Sequence, residues 1–209
     1  MATKVRSLLN RAAALLNDEE FVRWKEAELL EWLNDGQKAV ARGPATDAYV
    51  LRDDITCVAG TVQDLPGDTV RLIDVVKAVA TGSAILQADY ALVDILAGQW
   101  RAAAAAEAQN FFYDERNPKQ VELYPPQIGG ELIEILYNAM PANALVNGSI
   151  AIDDAYADAL IDYMVYRALS KDTEDTATDL RKADAFYKAF LVGAGFKDAT
   201  DALIEPPRS

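Results

Sequence analysis

The stretch that most constrains this chain is Phe111 to Pro126, FFYDERNPKQVELYPP. It predicts a β-hairpin. One apolar run, Phe111-Phe112-Tyr113, is closed by Asp114-Glu115-Arg116-Asn117-Pro118. A second, Val121 to Tyr124, is stopped by Pro125-Pro126. Asn-Pro signals a turn, because proline fixes φ and pushes the residue before it out of the helical region. Alternation sends Val121, Leu123 and Pro125 one way and Glu122 and Tyr124 the other. Nothing in the stretch is catalytic. It marks strands, with helices before and after.

Before it, Val5, Leu8, Leu9, Ala12, Leu15 and Leu16 fall at helical spacing and predict a helix over 4–16. Asn17 and Asp18 break it and cap a second helix over about 19–41, ended by Gly43-Pro44. Its apolar face, with Phe21, Trp24 and Trp32 beside Val22, Leu29, Leu33 and Val40, is wide enough for more than one neighbour. Residues 48–79 are rich in β-branched side chains, and 70–79 reads as a strand. Ile85 to Ala88 predicts another strand, and Asp89 caps a short helix over 90–96. Ala102 to Ala108 suits either a helix or a loop. After the hairpin, 132–137 predicts a third strand of its sheet. Asp153 or Asp154 caps a helix to about Ser170, and Thr173 or Asp175 caps a last one with Leu180, Ala183, Tyr187, Phe190 and Ala194 in a stripe.

These elements predict an α+β fold, mainly α, in a single domain over 1–209. Terminal helices, 1–43 and 153–196, form a bundle. Residues 48–150 form an inserted antiparallel β-rich subdomain, and 197–209 an extended tail.

Composition narrows the chemistry. With 51% hydrophobic and 25% charged residues, the chain can pack a core. It has no histidine, which removes His-dependent triads, bases and metal sites. Its one cysteine, Cys57, excludes intrachain disulfides and fits a reducing compartment; it reads as a buried small hydrophobe. Asn10 and Arg11 interrupt the leucine-rich N-terminus, which argues against a signal peptide, and no apolar run is long enough to span a membrane. The net charge of −13 opposes binding to phosphate backbones. It suits either plain solubility or a passage through which DNA slides without sticking.

Acidic pairs carry little weight among 33 acidic residues. Asp153-Asp154 reads as helix capping, and Asp53-Asp54 lies in an expected turn. No phosphate-binding loop, dinucleotide fingerprint or nucleophile elbow occurs. No catalytic residue, metal site or cofactor is expected. Trp24 and Trp32 are anchors of a core or of an interface. Tyr113 and Tyr124 suit cross-strand packing better than stacking on a partner.

The hairpin, with Tyr-x-x-Asp-Glu-Arg-x-Pro-Lys followed by Tyr-Pro-Pro, resembles phage head–tail connector adaptors of the tail-tubular type. The likeness extends to the helix 21–41, the strand 70–79, the segment 89–100 with its closing tryptophan, and the final helices, in that order. The resemblance implies a structural virion protein, not an enzyme, assembled in the host cytoplasm and located at the head–tail junction. It implies a homo-oligomeric ring, usually dodecameric, between the portal protein and the tail or nozzle. DNA passes through the lumen without specific binding, and no membrane is involved. Interface residues expected on this basis are Phe21, Trp24, Trp32, Tyr113, Tyr124, Ile204 and Pro206. The rival readings are a non-phage, soluble, acidic helical module that binds a protein partner and a hydrolase that works with carboxylates alone.

Overall fold

Leucine and alanine at spacings of three and four make Val5–Leu15 a helix with Val5, Leu8, Leu9, Ala12 and Ala13 buried. This is the first element of the computed structural model, which describes residues 3–44, 47–96, 98–102, 104, 106–171 and 176–196. In chain order the elements are α1 (Val5–Leu15), α2 (Glu26–Arg42), β1 (Val50–Thr56), β2 (Gly60–Asp64), β3 (Thr69–Ala78), β4 (Leu86–Gln87), α3 (Tyr90–Leu96), β5 (Asn110–Phe112), β6 (Gln120–Gln127), β7 (Leu132–Ala139), α4 (Ala157–Lys171) and α5 (Thr176–Gly193). The chain divides into a helical unit, Met1–Tyr49 with Pro141–Ser209, and a β unit, Val50–Met140.

In the helical unit, α4 packs against α1, α2 and α5. Leu8, Leu9, Leu29, Leu33, Leu160 and Met164 are fully buried between them. Burying each such side chain contributes about 1.5–3 kcal/mol. The approach of α2 to α4 is closest at Gly36, where a β-carbon would meet Leu160 and Tyr163 at 3.1 Å. Beside it lies a buried polar pair. Asn34 Oδ1 accepts from Gln37 Nε2 at 3.1 Å and from the Ala144 amide at 2.7 Å. Gln37 Oε1 accepts from the Ala151 amide at 2.7 Å. These bonds satisfy the backbone of the returning segment, which has no helix or sheet of its own there. Among the described residues no helix is long and apolar enough to cross a membrane.

The β unit holds two sheets. One has the order β1-β7-β3 and the other β2-β6-β5-β4. All pairs are antiparallel except β4 with β5, which run parallel. The hairpin forms as expected, with Phe111 opposite Leu123 and Phe112 opposite Glu122. Val121, Leu123 and Pro125 are buried, while Glu122 and Tyr124 are partly exposed. The Tyr113 hydroxyl accepts from the Leu72 amide at 3.0 Å, which ties the hairpin to β3.

Several expectations need correction. The fold is not a mainly α bundle carrying an inserted antiparallel subdomain. Three-stranded and four-stranded sheets with their own buried residues make it an α+β protein in which the β unit is a full structural partner. The strand at 132–137 does not join the hairpin's sheet. As β7 it is the centre of the other one, because β1 and β3 offer it much longer partners than β5. Pro125 and Pro126 do not stop β6, which continues to Gln127. They sit where its pairing with β2 is interrupted, between the partners Glu122 and Gln127, so no ladder bond is asked of a residue without an N–H. Asp53 and Asp54 lie within β1, not in a turn. The second helix starts at Glu26, not near Glu19. Asp18 is the reason: its carboxylate takes the amides of Val22, Arg23 and Trp24, which holds that stretch as a turn. Of the helix and loop left open for 102–108, residues 104 and 106–108 take the non-helical form. The expected caps Thr173 and Asp175 and the tail 197–209 lie outside the described residues.

Replacing Gln37 by alanine would leave the partly buried Ala151 amide without its acceptor. We expect Gln37→Ala to lose about 1–3 kcal/mol of stability. Urea unfolding should show a lower midpoint with an unchanged slope.

Candidate functional site

Among the described residues, two surfaces and one cleft stand out by their geometry. The first lies in the helical unit, where the turn 18–25 reaches α2. Phe21 adopts a φ of 53°, and the three amides that follow it point at Asp18. The Trp24 amide, first among these donors, holds the Asp18 carboxyl below the usual carboxylate range. Trp24 is thereby set against Trp32 with ring centroids 5.9 Å apart. Both indoles are buried in the unit's core, and Phe21 packs against that core. The Arg23 guanidinium and the Lys171 ammonium lie 5.4 and 5.9 Å from the Trp24 ring. Lys171 also pairs with Glu28. Glu28, Trp32, Arg167, Ser170 and Lys171 line a shallow groove of about 360 Å³.

The second surface is built around α3 in the β unit. Asp89 caps the helix, accepting from the Ala91 amide at 2.7 Å. Tyr90 stacks on Phe112 at 4.7 Å, and buried Trp100 lies 5.0 Å from Phe112 and edge-on to Tyr124 at 5.8 Å. Asp94, one turn after Tyr90, accepts from Trp100 Nε1 at 2.6 Å and from Arg101 at 3.1 Å. The indole N–H and then the guanidinium hold the Asp94 carboxyl below its ordinary value. Arg101 in turn covers Trp100 at 4.2 Å and approaches Glu122 at 3.5 Å. Burial, then the neighbouring Glu122, pushes the Tyr90 phenol up to about 12. Tyr90 and Asp94 thus hold one side of α3 down. Leu92 and Ile95 point the other way, and are 55% and 80% exposed.

A third feature is a cleft of about 400 Å³ in the same unit, lined by Ala78 to Thr81, Glu107, Ala108, Gln127 and Gly130 to Ile133. Glu107 accepts from the Thr81 hydroxyl, and Glu131 accepts from the Gly129 amide at 2.8 Å. Behind Glu131, the Cys57 backbone bonds to Glu131 and Gly130. The Cys57 thiol is buried, and burial followed by the Glu131 charge pushes it up to about 11.

The expected interface residues do not form one cluster. Phe21, Trp24 and Trp32 belong to the helical unit, and Tyr113 and Tyr124 to the β unit. Tyr113 is engaged with Leu72 and Tyr124 with Trp100; they do not pair with each other. Ile204 and Pro206 lie outside the described residues. Sequence reasoning passed over Leu92, Ile95 and Arg101. The available signal was the spacing of three between Leu92 and Ile95, opposite the Tyr90–Asp94 pair on the same helix. Among the described residues no group of three histidine, cysteine, aspartate or glutamate side chains is placed to hold a metal ion.

Two measurements follow from this geometry. Thiol modification of native chain near pH 8 should run roughly two orders of magnitude slower than in denaturant, since little Cys57 thiolate is available. For Asp94 the folded-state value lies below the unfolded one. Its contribution is therefore complete above the unfolded value and lost as pH falls through the folded one. Hydrogen-exchange protection in 90–101, taken relative to the intrinsic amide rate at each pH, should fall below about pH 4, and Asp94→Asn should lower that protection at neutral pH.

The family model described as SU10 adaptor protein matches residues 3–206, nearly the whole chain. No curated protein matches it. The chain belongs to the SU10 adaptor protein family, in accord with its resemblance to phage head–tail adaptors, and is a structural adaptor protein of that kind.

Proposed function

We propose that copies of this SU10 adaptor family member close a dodecameric ring between the portal protein and the tail or nozzle of a phage virion. Membership of the family over residues 3–206 is the observation that carries this reading. In it the chain is a structural part rather than an enzyme, assembled in the host cytoplasm and placed at the head–tail junction. The portal-facing contacts are the helical faces around Phe21, Trp24 and Trp32 and the tail with Ile204 and Pro206, while Tyr113 and Tyr124 brace the β unit near its contacts.

The charge supports a DNA passage. A net −13 on each copy, repeated around a ring, gives a lumen that repels phosphates. Repulsion matters only within about a Debye length, ~8 Å at physiological salt. DNA therefore feels the wall where it would touch it and slides without adhering.

The test is a mixing experiment. The chain and the portal protein of the same genome are run alone and together on a sizing column with mass detection, and large species are imaged. The expected result is a portal-sized complex carrying a second, stoichiometric ring. Absence of association across salt conditions would overturn the reading in favour of a soluble interaction module. In a separate gel-shift assay at low salt, where electrostatic binding is strongest, the chain should leave duplex DNA mobility unchanged.

A further inference from the structure

We propose that the cleft of about 400 Å³ in the β unit is a binding site for a free aliphatic diamine or polyamine. The proposal stands on the cleft alone and does not depend on ring assembly.

The cleft lies where the end of β3 and the start of β7 meet the end of β6 and the segment before β5. Val79, Ala80 and Leu132 give it aliphatic walls. Its polar groups are Thr81, Glu107, Gln127 and Glu131. A concave, mostly apolar site with a few convergent polar groups is the usual form of a small-molecule pocket. Here those groups are acceptors. The Thr81 hydroxyl is engaged within its own surroundings, donating to Glu107 and accepting from the Ser83 amide at 3.2 Å. Glu131 accepts from the Ile128 and Gly129 amides at 3.2 and 2.8 Å, and its carboxylate keeps further acceptor capacity.

Gln127 is the second, independent sign. It is 3% exposed, yet it lines the cleft. Its Nε2 donates to the Pro125 carbonyl at 2.6 Å and to the Ala106 carbonyl at 3.2 Å. Both amide hydrogens are thereby used, which fixes which end is oxygen. Oε1 accepts no hydrogen bond from the described residues. Buried acceptors are normally satisfied, so an unsatisfied one at a cleft wall calls for a donor from outside.

Charge specifies that donor. Among the described residues neither Glu107 nor Glu131 has a cation partner. Arg101, the only cation in 84–109, is taken by Asp94 and Glu122. Lys77, next to the cleft in sequence, pairs with Glu134, which alternation along β7 turns away from Ile133. Unpaired carboxylates are common on so acidic a chain. These two differ in bordering one apolar hollow that also holds a buried, unpaired carbonyl.

A ligand matching this set carries N–H donors, positive charge and an aliphatic body. An alkylammonium ion has all three. Its head makes charge-assisted hydrogen bonds to carboxylate and carbonyl, and its methylenes cover the apolar walls. Two carboxylates favour two ammonium groups, because a single one leaves the other glutamate uncompensated.

The test is calorimetric titration of the full-length chain with cadaverine, and separately with spermidine, at low salt. The expected result is saturable binding of one amine per chain with a Kd below about 1 mM, weakened by added sodium chloride. Glu107→Gln keeps an acceptor for Thr81 and should weaken binding at least about fivefold. Ala80→Trp, at an exposed position, should fill the cleft and abolish binding while preserving the circular dichroism spectrum. Asp53→Asn, which removes a charge on β1 outside the cleft, should leave binding unchanged. Absence of saturable binding would overturn the proposal. Equal weakening by Asp53→Asn would overturn it too, in favour of general screening of the acidic surface. A lysine with both termini blocked, binding as tightly as cadaverine, would overturn the free diamine in favour of a partner's side chain.

Discussion

The pairing of β7 with both β1 and β3 is the constraint on which the β unit depends. β7 receives hydrogen bonds along both edges, and its inward residues Ile133, Ile135 and Tyr137 are buried. Its register with β1 also places Val50 opposite Asn138. The chain enters the unit at residue 50 and leaves it at 140, so both connections meet the unit at one end of the same ladder. The hairpin sheet is then anchored to this frame by polar contacts. The Tyr113 hydroxyl bonds to the Leu72 amide, and Lys119 Nζ donates to the Gly67 and Thr69 carbonyls.

Legibility followed from how local each signal was. The hairpin could be read because alternation of Val121, Leu123 and Pro125 requires no knowledge of distant residues. The helical stripes of α1 and α4 were equally plain. Three features were hidden, each for a physical reason. The sheet that takes β7 is decided by competing partners far away in sequence, and period-2 patterning is the same for either. The prolines of β6 read as a stop, since a ladder gap opposite them is visible only once β2 is in place. The late start of α2 turns on one carboxylate, Asp18, which outcompetes the helix for three amides although residues 19–25 carry a passable helical pattern.

The candidate surfaces divide in the same way. Trp24 and Trp32 stood out by residue type, and the structure accounts for both within the helical core. Leu92 and Ile95 did not stand out, because two aliphatic residues on a short helix normally face inward. Their exposure becomes meaningful only when Tyr90, Asp94, Trp100 and Arg101 are seen to hold the opposite side. Residue identity shows which side chains are unusual; packing shows which are left over.

The helical unit is discontinuous: α1 and α2 precede the β unit, and their partner α4 follows it. Synthesis from the N-terminus therefore delivers the buried faces of Leu8, Leu9, Leu29 and Leu33 long before Leu160 and Met164 exist to cover them. The β unit, a contiguous segment, is the first part able to complete its own contacts. The ribosome thus releases a chain whose middle can fold while its beginning waits. During that interval the two N-terminal helices are the segments most in need of a chaperone or a temporary partner.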